Sequence, residues 1–178
     1  IRQLLKWQFP SLRHRGDRYP GFHIKPFVEV LRLTLDLEGL TKRELAIFGL
    51  TLKDYRRYES TKQAIIDFRV QLESLRNGHD RKRLTDETHY KRFSEIYADD
   101  IRSGNLHLRE SLGPVSVERF VKTKIRNSKD YADATIRYFR MTGLFTISSR
   151  TYRLKIVETK KKIVRDILQS VDREPQVL

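Results

Sequence analysis

The chain has 178 residues, 34% charged and 38% hydrophobic, and its 37 Lys and Arg against 23 Asp and Glu give a formal charge of +14. It has no cysteine, hence neither disulfides nor thiolate zinc sites. No apolar run approaches the roughly 18 residues of a membrane span, and residues 1–10 are too short and too charged for a signal-peptide core.

The positive excess is local. Residues 117–165 hold 14 Lys and Arg against 4 Asp and Glu, which is +10 of the +14. A field concentrated in this way suits a phosphate backbone. The chain opens on Ile1 and carries its one methionine at Met141, the pattern expected of a piece of a longer protein.

In chain order, residues 1–25 read as a lead-in that starts helical and breaks at Pro10, Gly16 and Pro20, with Trp7 and Phe9 as anchors. Residues 26–97 read as a helical, winged-helix-like subdomain. Pro26 suits the first position of a helix, Phe27, Val30, Leu31, Leu33, Leu35 and Leu37 supply its buried face, and Gly39 caps its end. Thr41 and Glu44 form a capping box for a short second helix with Leu45, Ile47, Phe48 and Leu50 inward. Two helices joined at Gly39-Leu40 look like the first half of a helix-turn-helix. A weaker box, Ser60 to Gln63, opens a helix through Ala64, Ile65, Phe68, Leu72 and Leu75, which Asn77-Gly78 stops. Residues 79–87 are polar and read as a surface connection, after which Tyr90, Phe93, Ile96 and Tyr97 recur at helical spacing.

Periodicity is lost over residues 98–115, the expected connection to a second subdomain at 116–171. Ser116 is placed as an N-cap, followed by Val117, Phe120, Val121 and Ile125 inward. Asn127-Ser128 reads as an interruption. The helix from Lys129 to Thr142 then has Tyr131, Ala132, Thr135, Ile136, Tyr138 and Phe139 inward and Gly143 as its cap. Residues 145–156 alternate around Ser149-Arg150 as a hairpin. A last helix, Thr159 to Val171, buries Ile163, Ile167 and Val171 and leaves 172–178 as a tail. The expected fold is mainly α with a small β-hairpin wing, arranged as tandem winged-helix-like helical subdomains.

In a winged helix the second helix of the motif enters the major groove and presents its N-terminal residues to base edges. Here Lys129, Asp130, Asp133, Arg137 and Arg140 would face outward, with Asn127 and Ser128 at the start of the helix. Asn suits adenine, Lys or Arg guanine, and Asp a cytosine amino group, while amides free at 127–128 would take a phosphate. Carboxylates on a basic face fit a reader of bases, although Asp130 and Asp133 also complement a helix dipole. Lys122, Lys124 and Arg126 on the preceding helix, with Arg150, Arg153 and Lys155 on the hairpin, are candidates for backbone contact. Lys42, Arg43, Lys53, Arg56 and Arg57 make a second basic group. Tyr55 and Tyr58 interleave with it and suit either stacking or the rim of the core.

Glu158-Thr-Lys160 matches the carboxylate-x-lysine element of metal-dependent nucleases, but that chemistry needs a second acid on a neighbouring strand. Glu158 falls instead at a helix start, where an acid is favoured electrostatically. The five histidines show no ligand spacing, and there is no HExxH and no glycine-rich phosphate loop. No catalytic and no metal residue is assigned. Other readings of these features are a winged-helix transcription regulator binding palindromic DNA as a dimer, an active nuclease, and a protein-interaction domain.

Three blocks in order, LLKWQFPSLRHRG, IKPFVEVLRLTLDLEGLTKRELAIFGLT and KTKIRNSKDYADATIRYFRMTGLF, resemble the AlwI-like type IIS restriction and nicking endonucleases. The resemblance implies a recognition region built of winged-helix subdomains, which binds a short asymmetric site in double-stranded DNA. It implies cleavage by a separate Mg²⁺-dependent nuclease domain whose carboxylate motif has no match in this chain. On that basis no cofactor is expected for these residues, and Mg²⁺ for the parent enzyme. The expected setting is the bacterial cytoplasm without a membrane partner, with a second nuclease subunit as an open alternative.

Overall fold

The computed structural model describes residues 9–10, 23–24, 27–52, 55–102 and 114–170. Strands β1 (Phe9–Pro10) and β2 (His23–Ile24) pair antiparallel with Phe9 opposite Ile24. Then come α1 (Val28–Asp36), β3 (Leu40–Thr41) and α2 (Lys42–Ile47). Short 3₁₀ turns at Gly49–Thr51 and Tyr55–Arg57 lead into α3 (Tyr58–Ser74), followed by α4 (Gly78–Arg102) and α5 (Pro114–Met141). The chain continues through β4 (Phe145–Ile147), β5 (Arg153–Ile156), a 3₁₀ turn at Glu158–Lys160 and α6 (Lys161–Gln169).

The exit from α1 sets up the sheet. The Gly39 amide donates to the Thr34 carbonyl (2.9 Å) and the Glu38 amide to Leu35, with Glu38 at φ 53°. This is the pairing of a Schellman turn, in which the left-handed residue is Glu38 and the glycine follows it. Gly39 has φ +114°, and a Cβ there would stand 2.9 Å from the Leu154 carbonyl oxygen. Glycine is therefore required twice over, by backbone angle and by the approach of β5. The chain emerges as β3, opposite β5 with Leu40 facing Leu154 and Thr41 facing Arg153. Strand β4 lies on the other side of β5, which gives the sheet order β3-β5-β4.

The hairpin thus falls where residue alternation places it, but its third strand comes from the first half of the chain. One hydrophobic cluster runs from Val28, Leu31 and Phe48 through Phe68 to Phe139, Phe145, Val164 and Leu168. Phe139 stacks on Phe145, and Phe27 on Tyr138. The two halves share this sheet and this core, so a tandem arrangement of separate units does not describe the packing. The physical reason is that a lone hairpin of three- and four-residue strands is marginal in water and gains stability from a third strand and a helical face.

The capping box forms as its spacing demands. Thr41 Oγ1 accepts from the Glu44 amide, and Glu44 Oε2 accepts from the Thr41 amide at 2.8 Å. Arg69 of α3 closes the arrangement, donating to both Glu44 oxygens and to the carbonyls of Leu37 and Gly39. One guanidinium therefore ties α3 to the end of α1 and the start of α2.

Several elements differ from the sequence-based expectation. Residues 79–87 are not a connection, because α4 begins at Gly78 and Asn77 caps it by accepting from the Asp80 amide. Ion pairs of Arg83 with Asp80 and Glu87 support this polar stretch as helix. The inward face of α4 is Thr85, His89, Phe93 and Ile96, and Tyr90 is exposed. Helix α4 extends to Arg102, into the expected connection. Helix α3 starts at Tyr58, ahead of the Ser60 box, and the Ser60 hydroxyl donates to Arg57 O. In α6 the buried residues are Val164, Ile167 and Leu168, with Ile163 half-buried. The expectations for Trp7, Pro26, Lys53, Val171 and the tail lie outside the described residues, as does the connection over 103–113.

Candidate nucleic-acid interface

Helix α5 is uninterrupted from Pro114 to Met141, about 42 Å of helix at the standard rise. The expected turn at Asn127-Ser128 does not occur. Ser128 is 2% exposed, its hydroxyl donates to the Ile125 carbonyl (2.7 Å), and its Oγ lies 3.0 Å from His89 Nε2 of α4. Since that hydroxyl proton points to Ile125, the imidazole carries its proton on Nε2 and donates to Ser128 Oγ. The serine is satisfied inside the helix and does not break it. Two assignments fall with the turn: Ser128 cannot reach a DNA duplex, and the amides at 127–128 are helix-bonded and not free for a phosphate.

Helical phase puts most of the remaining assignments on one side, with half-buried Lys124 off that face. Buried Val121, Ser128, Ala132, Thr135 and Phe139 form the inner face. Arg126, Lys129, Asp130, Arg137 and Arg140 are exposed, with Asn127 and Asp133 partly so. Tyr131, expected inward, is exposed, one helical step round from Ala132. On the first half of α5, Lys122 pairs with Glu118 (2.6 Å), a hydrogen bond that holds its ammonium pKa above the ordinary value. The Lys124 ammonium lies over the Phe120 ring at 5.0 Å.

The two basic groups meet at one point. Lys42, first residue of α2, forms an ion pair with Asp133 of α5, both side chains about half exposed. Arg43 beside it is exposed. Arg57 belongs to a different neighbourhood: its charge acts on Arg92 of α4, lowering the Arg92 pKa together with burial of that guanidinium. Arg56 is exposed. The even choice for the tyrosines resolves at Tyr58, a core residue whose hydroxyl donates to Asp36 Oδ2 at 2.7 Å. Burial and that carboxylate push its pKa up. Tyr55 is half-buried.

At the hairpin, Arg150 is exposed and Arg153 and Lys155 are half-buried on β5. The turn spans residues 148–152, wider than Ser149-Arg150: the Tyr152 amide donates to Ser148 O and the Ser148 amide to Arg153 O. Glu158 is 82% exposed and pairs with Lys161 at 2.8 Å. Among the described residues no three His, Asp or Glu side chains converge as a metal site.

A cleft of about 380 Å³ opens between α3 and α4 over Phe48 and Phe68. Its rim carries Asp67, Glu87 and Glu95 beside Lys91 and Arg92, a mixture that disfavours a polyanion. No described helix is long and apolar enough to cross a membrane.

His89, Arg69 and the Lys42–Asp133 pair went unread in the sequence. Thr85, His89, Phe93 and Ile96 do share helical spacing, and that signal would have found the histidine. Arg69 and the ion pair had none, being long-range partners.

A family profile described as AlwI restriction endonuclease matches residues 1–177. No curated protein matches the chain.

Proposed function

The chain belongs to the AlwI restriction endonuclease family, and from that premise we propose that it is the sequence-specific DNA-recognition region of a type IIS restriction or nicking endonuclease. The observation that carries the reading is the outward face of α5, where Arg126, Lys129, Arg137 and Arg140 surround Asp130 and Asp133. Asp133 pairs with Lys42 in the free protein, but Asp130 has no such ion-pair partner among the described residues. A base-reading face can use both acids, where a purely phosphate-gripping face has little use for them.

With α3 and α4 set aside, the order helix, strand, helix, helix, hairpin, with β3 paired to β5, supports a winged-helix reading. On this reading α1, β3, α2, the second half of α5, β4 and β5 make one such unit. The α3–α4 pair is an insertion between its second and third helices. The second half of α5 lies in the major groove, with Arg137 and Arg140 on guanine edges and Asp133 on a cytosine amino group. Lys42 and Arg43 at the start of α2, and Lys122 and Lys124 earlier on α5, take phosphates. Arg150 and Arg153 bring the hairpin against the backbone.

Cleavage in this proposal belongs to a Mg²⁺-dependent domain elsewhere in the parent enzyme. The described residues offer Mg²⁺ no fitting ligand set, since Glu158 faces solvent and is held by Lys161. The test is selection of duplexes from a randomised library at near-physiological salt without divalent metal. Enrichment of one asymmetric motif is expected. An enriched palindrome would favour a dimeric regulator, and binding without enrichment would refute recognition by these residues.

A further inference from the structure

We propose that Tyr152, at the tip of the hairpin, is a DNA-contacting residue whose ring packs against a deoxyribose of the strand gripped by Arg150 and Arg153. The inference rests on the reading above that the hairpin lies beside a duplex.

Three observations converge on this side chain. Tyr152 is 77% exposed, and among the described residues its side chain has no ring, hydrogen-bond or ionic partner. Its backbone stands at φ 52°, in the left-handed region where a bulky residue is a true outlier. Two other exposed residues stand at positive φ, Gly143 (φ 71°) and Glu38 (φ 53°), and neither puts a large ring into solvent as Tyr152 does. At residue 152 the turn geometry is fixed by its own hydrogen bonds: the Tyr152 amide to Ser148 O at 2.8 Å, Ser148 N to Arg153 O at 2.9 Å, and Thr151 N to Ser148 Oγ. Glycine or asparagine would satisfy every one of these bonds without strain.

The tyrosine therefore costs the fold twice, through backbone strain and through a large ring left mostly in water, with no hydrogen bond, ring stack or ion pair among the described residues to offset it. Strain of this kind, held in place by well-formed surroundings, points to use outside the fold. The neighbours say what kind. Arg150 is exposed on the same tip, and Arg153 and Lys155 follow on β5. An aromatic face among cations matches a sugar-phosphate strand, with the ring on the sugar and the cations on the flanking phosphates.

The test measures duplex affinity and thermal stability together on the intact chain, using a mixed-sequence duplex of about two helical turns at low salt. Tyr152→Asn tolerates the left-handed angle and removes the ring. It is expected to bind roughly tenfold more weakly while melting at the same or a higher temperature, and Tyr152→Phe is expected to bind like the parent. If the parent binds and Tyr152→Asn binds equally well, the inference is overturned and the recognition proposal stands. A melting temperature that falls with Tyr152→Asn would also overturn it, because the ring would then serve the fold. Absence of duplex binding by the parent chain would overturn both.

Discussion

Lys42 and Asp133, 91 residues apart in sequence, are joined in an ion pair that bridges the first turn of α2 and the outward face of α5. Both side chains are about half exposed, so the pair contributes less than about 1 kcal/mol to folding. Its interest lies in binding. Without DNA each charge neutralises the other, and a duplex offers each a new partner, phosphate for the ammonium and a base amino group for the carboxylate. Lys42→Ala is expected to weaken binding to all duplexes alike. Asp133→Asn is expected to change the preference at one base pair. Affinities for the selected site and its single-base variants check this, and identical profiles for the two variants would refute the division.

Lys124 and Arg137 sit on α5 about three and a half turns apart and are assigned different work. Lys124→Ala should lower affinity for every sequence and reduce the slope of log K against log salt by about 1. Arg137→Ala should cost about 1–3 kcal/mol at one position of the site and relax the preference there. Titrations at several salt concentrations separate the two. A common pattern would make α5 a backbone grip and not a reader.

Arg69 and Glu44 form a buried ion pair, Glu44 only 3% exposed, and the guanidinium also satisfies two carbonyls at the end of α1. Arg69→Met leaves an uncompensated carboxylate and two unpaired carbonyls. It is expected to destabilise the chain by about 3–5 kcal/mol, read from urea unfolding. Where the variant remains folded, its preferred DNA site should be unchanged.

His89 gives the fold an acid limit. Burial, aided by the charge of Lys129 and opposed by Asp86, lowers its pKa to about 4. The folded state holds the proton less tightly than the unfolded chain, whose histidine titrates near 6.5. The stability from neutral His89 is therefore fully present above pH 6.5 and is lost progressively down to about pH 4, by on the order of 3 kcal/mol in all. Melting temperatures across that window check it, and His89→Leu should flatten the profile.

What the sequence discloses here is local. The capping box at Thr41 and Glu44, the hairpin and the basic outer face of α5 follow from spacing within a few residues, and each is present. The failures come from distance. Asn127-Ser128 reads as a break because both residues favour turns, and it is His89, 39 residues away, that joins the Ile125 carbonyl in satisfying a buried Ser128 inside the helix. Residues 79–87 are the local exception: they lack an apolar stripe, yet charges paired three and four residues apart and the Asn77 cap hold them helical. The third strand, like Ser128, was hidden by distance. Two residues, Leu40 and Thr41, carry no strand signal of their own and become β3 only against β5.

That pairing also governs how the chain comes to be folded. Leu40 waits for Leu154, and every residue of α2 through α5 is made between them. Closing so long a loop is entropically expensive and slow compared with forming the helices. During synthesis, which proceeds from the N-terminus at about 5–20 residues per second, the edge of β3 and the apolar face of α1 stay uncovered for several seconds. Over that interval the nascent chain depends on the local order of its capped helices, and the sheet cannot close until β5 has been made.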